Sequence, residues 1–246
     1  MRRTSRSIGI VLFIAGTAAL VAARPVAIPN NTALILPGSR ELSTSHLMAS
    51  TLRFRYFNRP SPDSAEKETG GGTSSVIPVD HNGKPALLLV THSGRPERMF
   101  IDTALVMRDG LAPIWEVSRF GGRILRWEYS GKHVKRTMTH PDSGTRTTEH
   151  TYDVPVFHFN ELDALIRSLP LREGFEAILP LYSEGSDELE MDSVRVMSRA
   201  NGVWSIRFAD PAIVASYGVD ASTRRVVRYE ATLRKTGAVG RRVIVE

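Results

Sequence analysis

Asp102, Thr103 and Ala104, within the run MFIDTALVMRDGLAPIWE, stand one residue away from the Asp-Thr-Gly of an aspartic protease. That chemistry needs two carboxylates sharing a proton, each on a loop whose glycine lets the backbone fold behind the acid. Here Ala104 takes the place of the glycine, Leu105 follows it, and no second such loop occurs in the chain. Met99 to Met107 reads as one strand, Asp109-Gly110 as a two-residue hairpin turn, and LAPIWEVSRF as the returning strand. Counting back from that turn, Asp102 falls near Val117 and Ala104 near Trp115. Asp102 is the only residue to nominate for a hydrolase, and the reading favours a protein that is not an enzyme, with no catalytic residue assigned.

The histidines (His46, His81, His92, His133, His140, His150 and His158) contain no His-Glu-x-x-His and no spacing suited to a metal ion. There is no Gly-x-Ser-x-Gly elbow. ETGGGTSS lacks the lysine and the flanking strand and helix of a phosphate-binding loop, and no dinucleotide fingerprint is present. No metal and no cofactor is expected. A triad assembled from distant residues is a matter of three-dimensional proximity and lies beyond such a reading.

The aromatic residues carry the more useful signal. Phe54, Tyr56, Trp115, Trp127, Tyr129, Trp204 and Phe208 fall on strand faces that could form one concave apolar surface. They are either core beneath a covering helix or the lining of a groove for an acyl chain or apolar peptide, since such pockets are walled by apolar and aromatic groups. If Trp127 lines a groove, Trp127→Ala should weaken ligand binding more than it lowers the melting temperature.

The elements that must hold these residues are strands. TLRFRYF alternates, with Leu52, Phe54 and Tyr56 on one face and Arg53, Arg55 and Phe57 on the other. Turn signals recur at Gly110, Gly122, Gly131 and Gly144, at intervals of 12, 9 and 13 residues, the rhythm of an antiparallel meander. Strands resume with FEAILPLY, ELEMDSVRVMSR, GVWSIRF, AIVASYGVD, RRVVRYEATLRK and RRVIVE. Between the two sets lies one good helix, FNELDALIRSLPL. Asn160 is its expected N-cap, Leu162, Leu165, Ile166 and Leu169 form one apolar stripe, and Pro170 stops it. The fold class is therefore mainly β (α+β): a curved antiparallel sheet of roughly ten to twelve strands with one main helix packed in its mouth.

The N-terminus predicts a compartment. A basic start (Arg2, Arg3, Arg6) and an apolar run from Ile8 to Ala23 describe a secretory signal peptide over 1–23, with cleavage after Ala23. An uncleaved anchor is the alternative, although the run is short of the roughly 20 residues a spanning helix needs. Residues 24–50 form an extended lead-in, and 51–246 a single domain interrupted by a flexible polar insert over 58–75, NRPSPDSAEKETGGGTSS. With no cysteine, disulfides and a lipid-modified N-terminal cysteine are excluded, so the protein relies on its core. Three of the six net positive charges fall in the signal segment and the rest are interspersed with acids, so no nucleic-acid partner is expected.

The chain resembles an uncharacterised family of exported bacterial β-rich proteins, similar to the periplasmic lipoprotein carrier and receptor. The resemblance covers Thr51 to Glu246 and rests on Leu-Pro-Leu-x-x-Gly at Leu169 to Gly174 and Asp-x-x-Thr-Arg-Arg at Asp220 to Arg225. It implies an unclosed half-barrel whose mouth is plugged by helix, and an exported, periplasmic or envelope-associated protein. A noncatalytic role follows as the first expectation: binding a lipid or the acyl part of a lipoprotein, with helix 161–168 as lid. The alternative is a scaffolding envelope protein that binds another protein along an exposed strand edge around a filled interior. No transmembrane span is expected after signal cleavage.

Overall fold

The computed structural model describes residues 32–95, 98–182 and 187–245. The expected signal segment and the first part of the lead-in lie outside the described residues. β1 is Ala33–Leu34. β2 to β9 follow as Ser50–Arg59, Lys67–His81, Lys84–Arg95, Arg98–Met107, Pro113–Phe120, Arg123–Ser130, His133–His140 and Gly144–Thr151. β10 is Phe157–His158; a 3₁₀ turn, Phe159–Glu161, leads into the helix α1, Leu162–Ser168. β11 to β16 are Glu176–Tyr182, Leu189–Ala200, Val203–Ala209, Ile213–Asp220, Val226–Leu233 and Val239–Val245.

These strands form one sheet of 16 that does not close on itself. β2 to β9 are one antiparallel meander and β11 to β16 another, and β16 pairs antiparallel with β2 to join them. β1 and β10 both add to β11 in parallel, through Ala33↔Ala177 and Phe157↔Leu181. The count exceeds the expected ten to twelve partly because of these two-residue additions, which are too short to show a period in the sequence. Among the described residues no helix is long and apolar enough to cross a membrane.

The polar insert 58–75 is a loop only over 60–66. β2 runs on through Arg59 and β3 begins at Lys67, so the glycine triplet lies inside a strand. A Cβ at Gly72 would come 1.9 Å from the His92 carbonyl oxygen and 2.9 Å from Phe54 Cζ, and one at Gly71 would come 2.7 Å from the Phe54 carbonyl oxygen. The glycines are there because neighbouring backbones and rings approach too closely for side chains.

Register supplies a second correction. A shift between Leu105 and Val106 places Asp102 opposite Ser118 and Ala104 opposite Glu116, one residue from the expected Val117 and Trp115. The turn is longer than two residues, closed by the Met107 amide on the Ala112 carbonyl at 2.8 Å. Because cross-strand partners share a face, a one-residue difference exchanges the whole face. Asp102, Glu116 and Ser118 therefore stand together, and Trp115 points the other way.

The helix lies in the main core. Leu162, Leu165, Ile166 and Leu169 are buried as the apolar stripe requires, and Ala164, Arg167 and Ser168 are buried too. Seven residues are too few for a stable isolated helix, so the surrounding sheet sustains it. Asn160 is not its cap: it belongs to the 3₁₀ turn, the N-cap position is Glu161, and no side chain caps it. At the other end Arg224 donates to the carbonyl oxygens of Leu169 (3.0 Å) and Arg167 (3.4 Å), covering terminal acceptors. Asp220 shapes the turn that presents Arg224, accepting from the amides of Ser222 (3.0 Å) and Thr223 (2.7 Å).

Candidate functional site

A cavity of about 460 Å³ lies between α1 and the sheet. Leu162, Ala164 and Leu181 meet Leu52, Val76, Leu89, Ile213, Val226, Ala231 and Leu233 around it. Alternation explains the wall: each strand sends every second residue inward, and several strands contribute short or branched apolar side chains. The size is that of an ordinary small-ligand site.

One part of this wall is charged. Arg242, on the last strand, is 9% exposed, and its Nη2 lies 2.7 Å from Asp163 Oδ2 on the helix. The guanidinium sits 5.5 Å from the Phe54 ring centre and 5.4 Å from that of Tyr229, and its Nε has no hydrogen-bond partner. Burial opposes its charge, but Asp163 and then Tyr56 and Tyr217 outweigh burial, so its pKa is raised and it stays a cation. Tyr56, Tyr217 and Tyr229 line the same region, each with its hydroxyl pKa raised mainly by burial. The result is an apolar hollow with an ion-paired, hydroxyl-bearing end at Arg242 and Asp163 and further acids, Asp102, Glu190 and Asp210, on its wall.

A buried polar network borders the hollow. His158 Nδ1 lies 2.7 Å from Glu116 Oε2, and both side chains are fully buried. Asn160, freed from capping, donates its side-chain amide to Glu116 Oε1 and contacts Ser118 Oγ at 3.5 Å. Burial, reinforced by Glu116, holds the Glu161 carboxyl well above its ordinary range. Asp102 reaches the cavity, where burial pushes its pKa up to about 6 against a hydrogen bond from Ser118. The network ties β6, β10 and the 3₁₀ turn together.

Of the seven aromatics singled out in the sequence, Tyr56 lines the cavity. Phe54 is buried under Arg242. Phe208 is fully buried in the main core and Trp204 packs against that core. Trp127 is fully buried in a second cluster with Val134, Val156 and Tyr182, against which Tyr129 packs. Trp115 is half-buried on the opposite face of β6 from Glu116. The helix contributes Leu162 to the lining, while Leu165, Ile166 and Leu169 serve the core.

Sequence reasoning passed over Arg242 and Asp163 as site residues, because one of two adjacent arginines in RRVIVE and an acid at a helix start look like solvated charges. It also passed over Glu190, Asp192 and Asp210, whose carboxylate oxygens lie within 4.8 Å of one another. Burial, then Glu190 and Asp210, push the Asp192 pKa up to about 8. The available signal was Glu190-x-Asp192, two acids on one face of a strand whose neighbours on that face are apolar.

No protein-family model matches the chain, and no curated protein is significantly similar to it.

Proposed function

We propose that this chain is a noncatalytic exported envelope protein that binds an amphiphile, a lipid or the acyl part of a lipoprotein, in the hollow of its half-barrel. The observation that carries the reading is the cavity beside α1, apolar over most of its wall with the Arg242–Asp163 ion pair at one end. Burying an acyl chain contributes about 0.8 kcal/mol per methylene without precise polar geometry. Arg242, paired with Asp163 through Nη2, keeps an unpartnered Nε–H as a fixed donor for a polar head group. The basic and apolar pattern of residues 1–23 supports export, and the unclosed sheet with one helix among the described residues is in keeping with the architecture that the resemblance implies. A scaffold with a packed interior accounts less well for the hollow.

The test is native mass spectrometry of protein purified from its own envelope without detergent, followed by organic extraction and lipid analysis. A stoichiometric bound lipid is expected. Ala231→Trp, which fills the hollow, should abolish uptake of a fluorescent fatty acid while the protein still melts cooperatively. A clean apo mass together with no fatty-acid uptake by the parent protein overturns the reading and favours the scaffold.

A further inference from the structure

We propose that Glu190, Asp192 and Asp210 form a binding site for a hard divalent cation, calcium in the first instance, at the border of the cavity. Glu190 and Asp192 alternate on β12 and so share a face. Asp210 follows β13, whose last residue Ala209 pairs with Ser193, and this brings it beside Asp192. Two oxygens bound to one calcium ion at 2.3 to 2.6 Å can be at most about 5 Å apart. The three carboxylates meet that condition, with ligand atoms within 4.8 Å of one another.

A second observation points to an ion rather than to a chance cluster of acids. Asp192 is 1% exposed, and its Oδ1 has no hydrogen-bond partner. A carboxylate that deep is unfavourable unless something compensates it. Its two charged neighbours are themselves acids. Asp210 is oriented in advance, because its Oδ1 accepts from the amides of Ala212 (2.5 Å) and Ile213 (2.6 Å), leaving its second oxygen available. Arg234 contacts the backbone of this loop, its Nε donating to the Asp210 carbonyl oxygen at 3.1 Å.

The donor set selects the metal class. Three carboxylates with no histidine among them and no cysteine in the chain favour calcium, manganese or magnesium over zinc or copper. Glu190 and Asp210 also line the cavity, so the remaining coordination positions are reached from the hollow by water.

The experiment is calorimetric titration of chelator-treated full-length protein with calcium, manganese and magnesium chlorides, paired with thermal melting in each salt. One ion per chain and a raised melting temperature are expected. Asp192→Asn should cancel the increment that the ion adds to the melting temperature. Glu190→Gln should weaken binding at least about tenfold, since even residues that only support a metal ligand cost that much. Absence of heat and of a melting shift with all three ions overturns the site. So does weak binding that Asp192→Asn and Glu190→Gln leave unchanged, which is the behaviour of scattered surface acids. The fatty-acid assay is independent of these readouts.

Discussion

Arg242 Nη2 lies 2.7 Å from Asp163 Oδ2, and this ion pair joins the last strand of the sheet to the only helix among the described residues. It closes a contact between residues far apart in the chain at a point where both line the hollow. The Phe54 and Tyr229 rings enclose the Arg242 guanidinium, so it depends on Asp163 for compensation.

Removing Asp163 leaves the Arg242 guanidinium buried and uncompensated, whereas removing Arg242 leaves a half-buried carboxylate. Asp163→Leu should cost about 3 to 5 kcal/mol, Arg242→Met should cost less because Asp163 is 33% exposed, and the double variant should cost less than the sum. Urea denaturation of the four proteins of the cycle measures this. Additive losses would mean that the pair is not coupled.

Trp127 tests the difference between a lining and a core residue. It is fully buried in the second cluster, so Trp127→Ala should cost about 3 to 5 kcal/mol and leave fatty-acid affinity unchanged in whatever fraction stays folded. This reverses the expectation drawn from the sequence. Weakened binding at unchanged stability would restore it.

Gly72 has no room for a methyl group, with the His92 carbonyl oxygen 1.9 Å from a Cβ position. The obstacle is backbone and cannot swing aside, so Gly72→Ala should cost at least about 1 to 3 kcal/mol. Gly83→Ala, where nothing lies within 4 Å of the Cβ position, tests backbone conformation alone and should be milder. Equal midpoints for the two variants in urea would contradict the packing argument.

Two groups give stability opposite pH slopes. Asp102 has its pKa raised from 3.8 to about 6 by burial. The unfolded chain ionises first, so this contribution is whole below 3.8 and fades as pH rises to about 6, a loss of up to about 3 kcal/mol. His46 has its pKa lowered from 6.5 to about 4 by burial and then by Arg224 and Arg167, so stability fades as pH falls through that interval. Asp102→Asn should uncover a loss on acidification, and His46→Gln a loss on raising pH from 4 to 6. Urea midpoints measured across this range decide it, and slopes identical in all three proteins would contradict both assignments.

Much of the fold was legible. The alternation in TLRFRYF, the Gly-marked turns and the stripe Leu162, Leu165, Ile166 and Leu169 all sit where the sequence placed them, because period and turn chemistry are short-range properties of the backbone. The candidate site was far less legible. Asn160 looks like a cap, yet Glu116 and Ser118, more than forty residues away, claim its side chain. The glycine triplet looks like a flexible loop, yet it is a strand pressed against Phe54 and His92.

The sequence by itself determined that this protein is a β-meander with one amphipathic helix and no cysteine chemistry, since alternation, turn residues and composition act locally. Tertiary structure alone decided which residues meet at the hollow. The shift between Leu105 and Val106 chose the face that Asp102 shares with Glu116 and Ser118, the β16 to β2 pairing joined two meanders into one sheet, and packing of the helix brought Asp163 to Arg242. Each depends on register and curvature accumulated over many strands, and a one-residue slip in register exchanges inside for outside.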